Sequence, residues 1–214
     1  MAKYDNNDIK QWISDNLRED PVIIEAGVYD GSDTAWFAQR YPKGEIYGFE
    51  PLDAPFQLAY NRLCNFDNVT LCKYALGDTT GDGNMYECDW RSGCSSLKKP
   101  TGHMKFHPSI KWVGETKVDV INLDEFASEN GIERVDLMWL DMQGSENEVI
   151  QSSKNIVEKT KYIFSEVSIM NMYDGVPLIE EYKSNMSELG FNVIWEDLPW
   201  KDMGDLLFEN TNLK

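Results

Sequence analysis

The chain has 214 residues, 42% of them hydrophobic, and its 37 acidic against 20 basic residues give a net charge of −17. A surface of that sign repels phosphate backbones and anionic bilayers, which argues against nucleic-acid substrates and a membrane dock. No apolar run approaches the roughly 20 residues that span a bilayer, and the opening MAKYDNNDIKQW lacks the basic-then-apolar order of a signal peptide.

A cytoplasmic protein is therefore expected, with one domain over residues 1–214; Met1 could equally begin part of a longer multidomain chain. In chain order, Ile9, Trp12, Ile13 and Leu17 fall at helical spacing and predict an N-terminal amphipathic helix within residues 1–20. Pro21 ends it, and the apolar run 22–24 predicts a buried strand. Ser32 or Asp33 can cap a helix that reaches Tyr41 and stops at Pro42. The alternation then repeats: strand 45–49, helix 53–63, strand 69–75, strand 135–140, helix 146–154, strand 162–167, helix 177–189, strand 191–195 and a last strand at 205–209. Strands alternating with helices imply an α/β fold around a doubly wound, mostly parallel sheet. The last two strands have no helix between them and predict an antiparallel pair at one edge.

Residues 77–116 break this rhythm. The segment is rich in Gly, Ser, Asp and Pro and holds Trp90, His103, His107 and Trp112. Its length predicts an irregular insert serving as a lid or binding loop, or a hairpin of 84–90 against 95–99. Cys64, Cys72, Cys88 and Cys94 show neither a C-x-x-C pair nor a histidine at zinc spacing, so they read as reduced structural thiols.

Three segments carry chemistry. In E-A-G-V-Y-D-G (25–31) a strand ends in an acid and a glycine turn leads into a helix. Glycine lets the backbone turn sharply beside a ligand. The spacing is not the dinucleotide G-x-G-x-x-G, and Glu25 would repel a pyrophosphate while suiting the ammonium and sulfonium of S-adenosylmethionine. In Y-G-F-E-P (47–51), Glu50 ends the next strand near the distance at which an acid accepts hydrogen bonds from an adenosine ribose. In V-D-L-M-W-L-D-M-Q-G-S-E (135–146), an apolar strand delivers Asp141 at its carboxyl end, where such sheets hold ligands; alternatively Asp141 only caps the following helix.

With K-Y-A-L-G-D, G-C-S-S-L, I-N-L-D-E-F and F-S-E-V in the same order, the chain resembles the FkbM-type methyltransferases over residues 20–196. The resemblance implies a Rossmann-like class I methyltransferase fold and S-adenosylmethionine-dependent O-methylation of a sugar, glycan or polyketide-type small molecule. Carried over by position, Glu25, Gly27, Asp30 and Gly31 would hold the methionine moiety and Glu50 the ribose hydroxyls. Tyr74, Ala75 and Leu76 with Ser96 would border adenine or the nearby pocket, with Pro51 and Asp141 also at the cofactor. The family usually has aspartate and a G-A pair in its first motif, where this chain has Glu25 and Gly27-Val28.

Methyl transfer to an alcohol needs alignment and a base for the hydroxyl proton. Asp141 is the first candidate, Glu166 the second and His103 the third; His107, followed by Pro108, reads as part of a turn. Asp141 and Glu166 could instead share a divalent cation. Trp90, Trp112, Tyr173 and Trp200 are candidate stacking surfaces for a sugar. A nicotinamide-dependent oxidoreductase would need G-x-G-x-x-G and Tyr-x-x-x-Lys, and the chain has neither. A catalytically inactive binding module on the same fold remains the other alternative.

Overall fold

The computed structural model describes residues 7–89 and 93–213. The first third gives α1 (Asn7–Asn16), β1 (Val22–Ala26), α2 (Ser32–Arg40), β2 (Glu45–Phe49), α3 (Asp53–Leu63) and β3 (Val69–Cys72). Then come β4 (Ala75–Gly77), β5 (Gly81–Cys88), the short α4 (His103–Phe106) and β6 (Trp112–Asn122). The remainder is α5 (Leu123–Glu129), β7 (Val135–Leu140), α6 (Glu146–Ser152), α7 (Lys154–Val157), β8 (Thr160–Ser168), α8 (Ile179–Glu188), β9 (Phe191–Asp197) and β10 (Met203–Asn210).

Seven strands form the main sheet in the order β3-β2-β1-β7-β8-β10-β9. The pairs from β3 to β8 are parallel, and β10 runs antiparallel to both β8 and β9, giving the expected antiparallel pair at the edge. Strand order reverses between β1 and β7, which opens a crevice beyond their carboxyl ends. Successive residues of β1 feed opposite layers, Ile23 packing with Ile13 and Phe37 and Ile24 with Phe126 and Ile150. Every residue of β7 is buried, as a central parallel strand covered on both faces requires. Trp139 stacks on Phe164 with centroids 3.7 Å apart, and Phe37 meets Trp139 edge-on at 5.5 Å. Asp136 is buried in this strand because its carboxylate accepts from Val22 N and Arg134 Nε.

Several local expectations change. Helix α2 is preceded by Gly31 at φ 77 without a side-chain cap; Asp30, not Ser32 or Asp33, accepts from the Ser32 amide and hydroxyl. The predicted strand 69–75 leaves the main sheet after Cys72 and re-forms as β4 in a second sheet of order β4-β6-β5. Within 77–116, β5 pairs with β6 from Gly81↔Val120 to Cys88↔Trp112, while Tyr86↔Ser96 is a single bridge. Glycine is required on this sheet, since a Cβ at Gly77 or Gly83 would come within 2.5 Å of the Val120 side chain. Helix 146–154 breaks at Ser153, where Asp124 takes the Asn155 and Ile156 amides and starts α7. Among the described residues none of the four cysteines is in a disulfide. Among the described residues no helix is long and apolar enough to cross a membrane.

Candidate active site

The three central strand ends are tied together by their own backbones. Gly27 N and Val28 N both donate to Phe49 O, and Asp141 N donates to Ala26 O. Gly27 adopts φ 91, and a Cβ there would lie 1.8 Å from the Asp141 carbonyl oxygen, so only glycine lets β1 turn against β7. Beyond these ends lies a cleft of about 220 Å³ lined by Gly27, Tyr29, Glu50, Tyr74, Asp141 and Gln143, among others.

Glu50 is fixed by the turn it faces. Tyr29 takes φ 52, and its amide donates to Glu50 Oε2 at 3.0 Å; the Leu52 amide donates to Oε1 at 3.0 Å. Burial raises the Glu50 carboxyl to about 7, partly offset by those two amides. Lone pairs remain on both oxygens for donors in the cleft. Glu25 is 2% exposed and does not line the cleft. Among the described residues its Oε2 has no hydrogen-bond partner, and burial first, then the nearby Asp33 carboxylate, raises the carboxyl well above the usual range.

At the β7 end, Asp141 is exposed through the cleft, while the protein around it still raises its carboxyl. Its Oδ1 accepts from Gln143 Nε2 at 2.9 Å, and the same nitrogen donates to Glu166 Oε2 on β8 at 2.8 Å. Burial raises Glu166 well above the usual range, helped by repulsion from Asp141, Glu146 and Asp205. Asp205 stands opposite Glu166 in the β8–β10 register and is itself raised by burial to about 8. Asp141 is not the cap of α6. Glu146, the first residue of α6, instead accepts from the Met142 amide at 2.6 Å and the Gly144 amide at 2.9 Å, closing the turn. Ser145 Oγ, in the cleft wall, is buried without a partner.

The structure thus brings Gly27, Glu50, Pro51, Tyr74, Ala75 and Asp141 to one cleft. Asp30 and Gly31 do not line it; Asp30 is spent on Ser32 and on Arg62 Nη2 at 2.9 Å. Ser96 is buried and acts at one remove, its Oγ donating to the Gln143 carbonyl at 2.7 Å. His103 lies outside the cleft lining, 3% exposed, its ring packed among His107, Trp112 and Tyr173. Burial and the neighbouring His107 lower it to about 4, so it is neutral at physiological pH. His107 instead contacts Asp202 through Nε2 at 2.5 Å. Trp90 lies outside the described residues. Trp112 belongs to β6, Tyr173 is buried, and Trp200 is exposed away from the cleft lining.

Two features escape a reading by motif. Gln143 is the centre of the carboxylate network, and its signal is a lone amide between Asp141 and Gly144. The left-handed Tyr29 that aims an amide at Glu50 leaves no signal in residue type. Among the described residues no group of three or more His, Cys, Asp or Glu could hold a metal ion. A glycine turn held against Asp141, the Asp141 carboxylate open to the cleft and an oriented Glu50 carboxylate together suit a cationic ligand with paired hydroxyls. S-adenosylmethionine has both properties.

The methyltransferase FkbM domain profile matches residues 25–193. NoeI, a 2-O-methyltransferase of Sinorhizobium fredii, is 31% identical, the alignment covering 95% of this chain and 85% of that protein. Among solved structures, TrmK of M. capricolum, in complex with its natural cofactor product S-adenosyl-homocysteine, matches with TM-score 0.54 at 9% identity, covering 94% of this chain and 67% of that one. An S-adenosylmethionine-dependent methyltransferase from Aquifex aeolicus matches with TM-score 0.50 at 10% identity over 98% of this chain and 100% of that one. These structures share the class I methyltransferase fold.

Proposed function

The chain belongs to the FkbM methyltransferase family and is an S-adenosylmethionine-dependent methyltransferase, and on that premise we propose that it methylates a hydroxyl oxygen of a sugar or glycan. The observation that carries the oxygen acceptor is Asp141, a carboxylate open to the cleft and oriented by Gln143 at 2.9 Å. The similarity to a 2-O-methyltransferase supports a secondary hydroxyl on a ring. The net charge of −17 favours a neutral small molecule over a polyanion such as RNA.

When bound, S-adenosylmethionine supplies an electrophilic methyl on a positively charged sulfur. Glu50 accepts from the ribose hydroxyls, its position set by the Tyr29 and Leu52 amides. Glu25 and the Gly27 turn take the methionine end, and Pro51, Tyr74 and Ala75 border the base. Asp141 receives the acceptor's hydroxyl proton, with Glu166 as its proton-sharing neighbour. Alignment of the two reacting atoms supplies most of the acceleration, and removal of the proton about 10²–10⁴-fold. The segment 77–116 contributes Met85, Gly93, Ser95 and Leu97 to the cleft wall, and we read it as the part that covers the acceptor. We assign Asp141 and Glu166 to protons rather than to a cation, because the Gln143 amide nitrogen, a donor, bridges the two carboxylates where a shared cation would sit; turnover that persists after exhaustive chelation is the expected result.

The test is transfer of labelled methyl to a panel of monosaccharides and oligosaccharides, with a structured RNA as the contrasting arm. The expected product carries a new O-methyl group located by NMR. Labelling of RNA, or of nitrogen or carbon in place of oxygen, would overturn the assignment.

A further inference from the structure

The turn after β7 puts Gln143 at φ 57 and Gly144 at φ 106. Left-handed backbone is unfavourable for a glutamine, which points to a role for its side chain. That side chain is 9% exposed at the cleft, and each of its polar groups is engaged. Nε2 donates to Asp141 Oδ1 and Glu166 Oε2, while Oε1 accepts from the Tyr173 hydroxyl at 2.8 Å. The main-chain carbonyl accepts from Ser96. The amide therefore has one orientation, since an ionised carboxylate only accepts and the phenol supplies a proton at the other end. It has two N–H groups, and it gives one to each acid.

We propose that Gln143 is a positioning residue that holds Asp141 and Glu166 as an unlike pair, Asp141 ionised at the cleft and Glu166 protonated beside it. The inference rests on the O-methylation reading above. Two carboxylates bridged by one nitrogen are too close for both to ionise without penalty. The surroundings decide which keeps the proton. Asp141 meets cleft water, whereas Glu166 is half-buried and faces Asp205 from β10 and Glu146 from α6, both of which oppose its ionisation. Desolvation, Asp33 on α2 and Glu25 on β1 raise Asp141 as well, the Gln143 N–H working against them, and Tyr173 faces the amide oxygen and the Cys94 carbonyl. In turnover the acceptor's O–H proton passes to the Asp141 carboxylate, and the pair becomes neutral.

The experiment is a carboxyl ¹³C NMR titration of the full chain labelled at Asp and Glu, free and with S-adenosylhomocysteine. In the unmodified protein Asp141 titrates well below Glu166. Gln143→Ala removes a hydrogen bond from the ionised form and should raise the Asp141 midpoint by about one pH unit. Tyr173→Phe keeps the amide but frees its orientation, and should shift the same midpoint in the same direction by less. If Gln143→Ala does not fold, Tyr173→Phe carries the test alone. Calorimetric affinity for S-adenosylhomocysteine should stay within about threefold in Tyr173→Phe, whose ring lies outside the cleft lining, which separates positioning of the acids from damage to the cleft. An Asp141 midpoint unmoved in every folded variant, or Glu166 titrating below Asp141, would overturn the proposal. Absence of any O-methylated product would instead strike the acceptor assignment and leave the titration result standing.

Discussion

Glu50 does two things with one carboxylate, and the substitutions that probe it separate them. Its oxygens take the Tyr29 and Leu52 amides, so Glu50→Ala strips two backbone donors of their partner as well as removing the proposed ribose contact. Glu50→Gln keeps an oxygen for one of those amides and is the cleaner variant for the cofactor. Hydrogen bonds to a charged group are worth about 1.5–3 kcal/mol each, so loss of the ribose pair predicts a fall in affinity of about 100-fold or more. Calorimetry with S-adenosylhomocysteine measures it, with thermal melting as the check that Glu50→Gln still folds. Unchanged affinity would remove Glu50 from the cofactor site. Because burial raises this carboxyl to about 7, affinity in the unmodified protein should also weaken as the pH falls below neutrality.

At the scale of elements, the turns carry more of the site than the strands do. Gly27→Ala would drive a Cβ to 1.8 Å from the Asp141 carbonyl, and since that atom is backbone the strand end itself must move. A loss of about 4 kcal/mol or more is expected, seen as a collapse of soluble yield or of cofactor binding; an alanine variant that binds normally would contradict the β1–β7 contact. Asn122 makes a contrasting case. Its Oδ1 caps α5 by accepting from the Asp124 and Glu125 amides, Nδ2 donates to the Asp78 carbonyl, and none of these residues lines the cleft. Asn122→Ala should therefore cost about 1–2 kcal/mol and lower Tm by roughly 2–8 °C, with cofactor affinity unchanged.

These two positions also show what was legible beforehand. The main sheet was, because Val22-Ile23-Ile24 and the mostly apolar 135–140 run, bounded by turn residues and alternating with helical segments, read as buried parallel strands, which puts Glu25 near the end of β1 and Asp141 just beyond β7. The site was legible as far as side chains at strand ends reach, which gave Glu50 and Asp141. It was not legible where a partner comes from distant sequence. Val120 packs over two glycines to make the second sheet from a segment whose composition suggests a loop. Nothing local tells that Ser96 and Tyr173 converge on Gln143. For a similar reason the motif does not tell that Asp30 meets Arg62 on the next helix and lies outside the cleft lining.

For the whole molecule, the buried acids and the net charge of −17 act in the same direction on stability. Burial raises Glu50 and Glu146 to about 7 and Asp205 to about 8, with Glu25 and Glu166 higher than the usual range. A group raised in the folded state binds its proton there before the unfolded chain does, so its contribution is full at pH below the unfolded value and is lost as pH rises through the folded one. Lowering the pH from 8 to about 5 should thus stabilise the ligand-free protein, and the falling net charge relieves self-repulsion as well. His103 opposes this: held neutral with its value lowered to about 4, it costs stability once the pH drops below the unfolded histidine range. A maximum near pH 5–6 follows, below the usual neutral plateau. Cofactor binding should run the other way, because a sulfonium is held by ionised carboxylates. The thermal shift produced by S-adenosylmethionine should shrink from pH 8 to pH 6, and more steeply than that produced by uncharged-sulfur S-adenosylhomocysteine. Melting curves with and without each ligand across that range measure both trends. A ligand-free Tm that falls steadily on acidification from pH 8 would mean that these acids are ionised in the fold, and the electrostatic account of the cleft would fail with it.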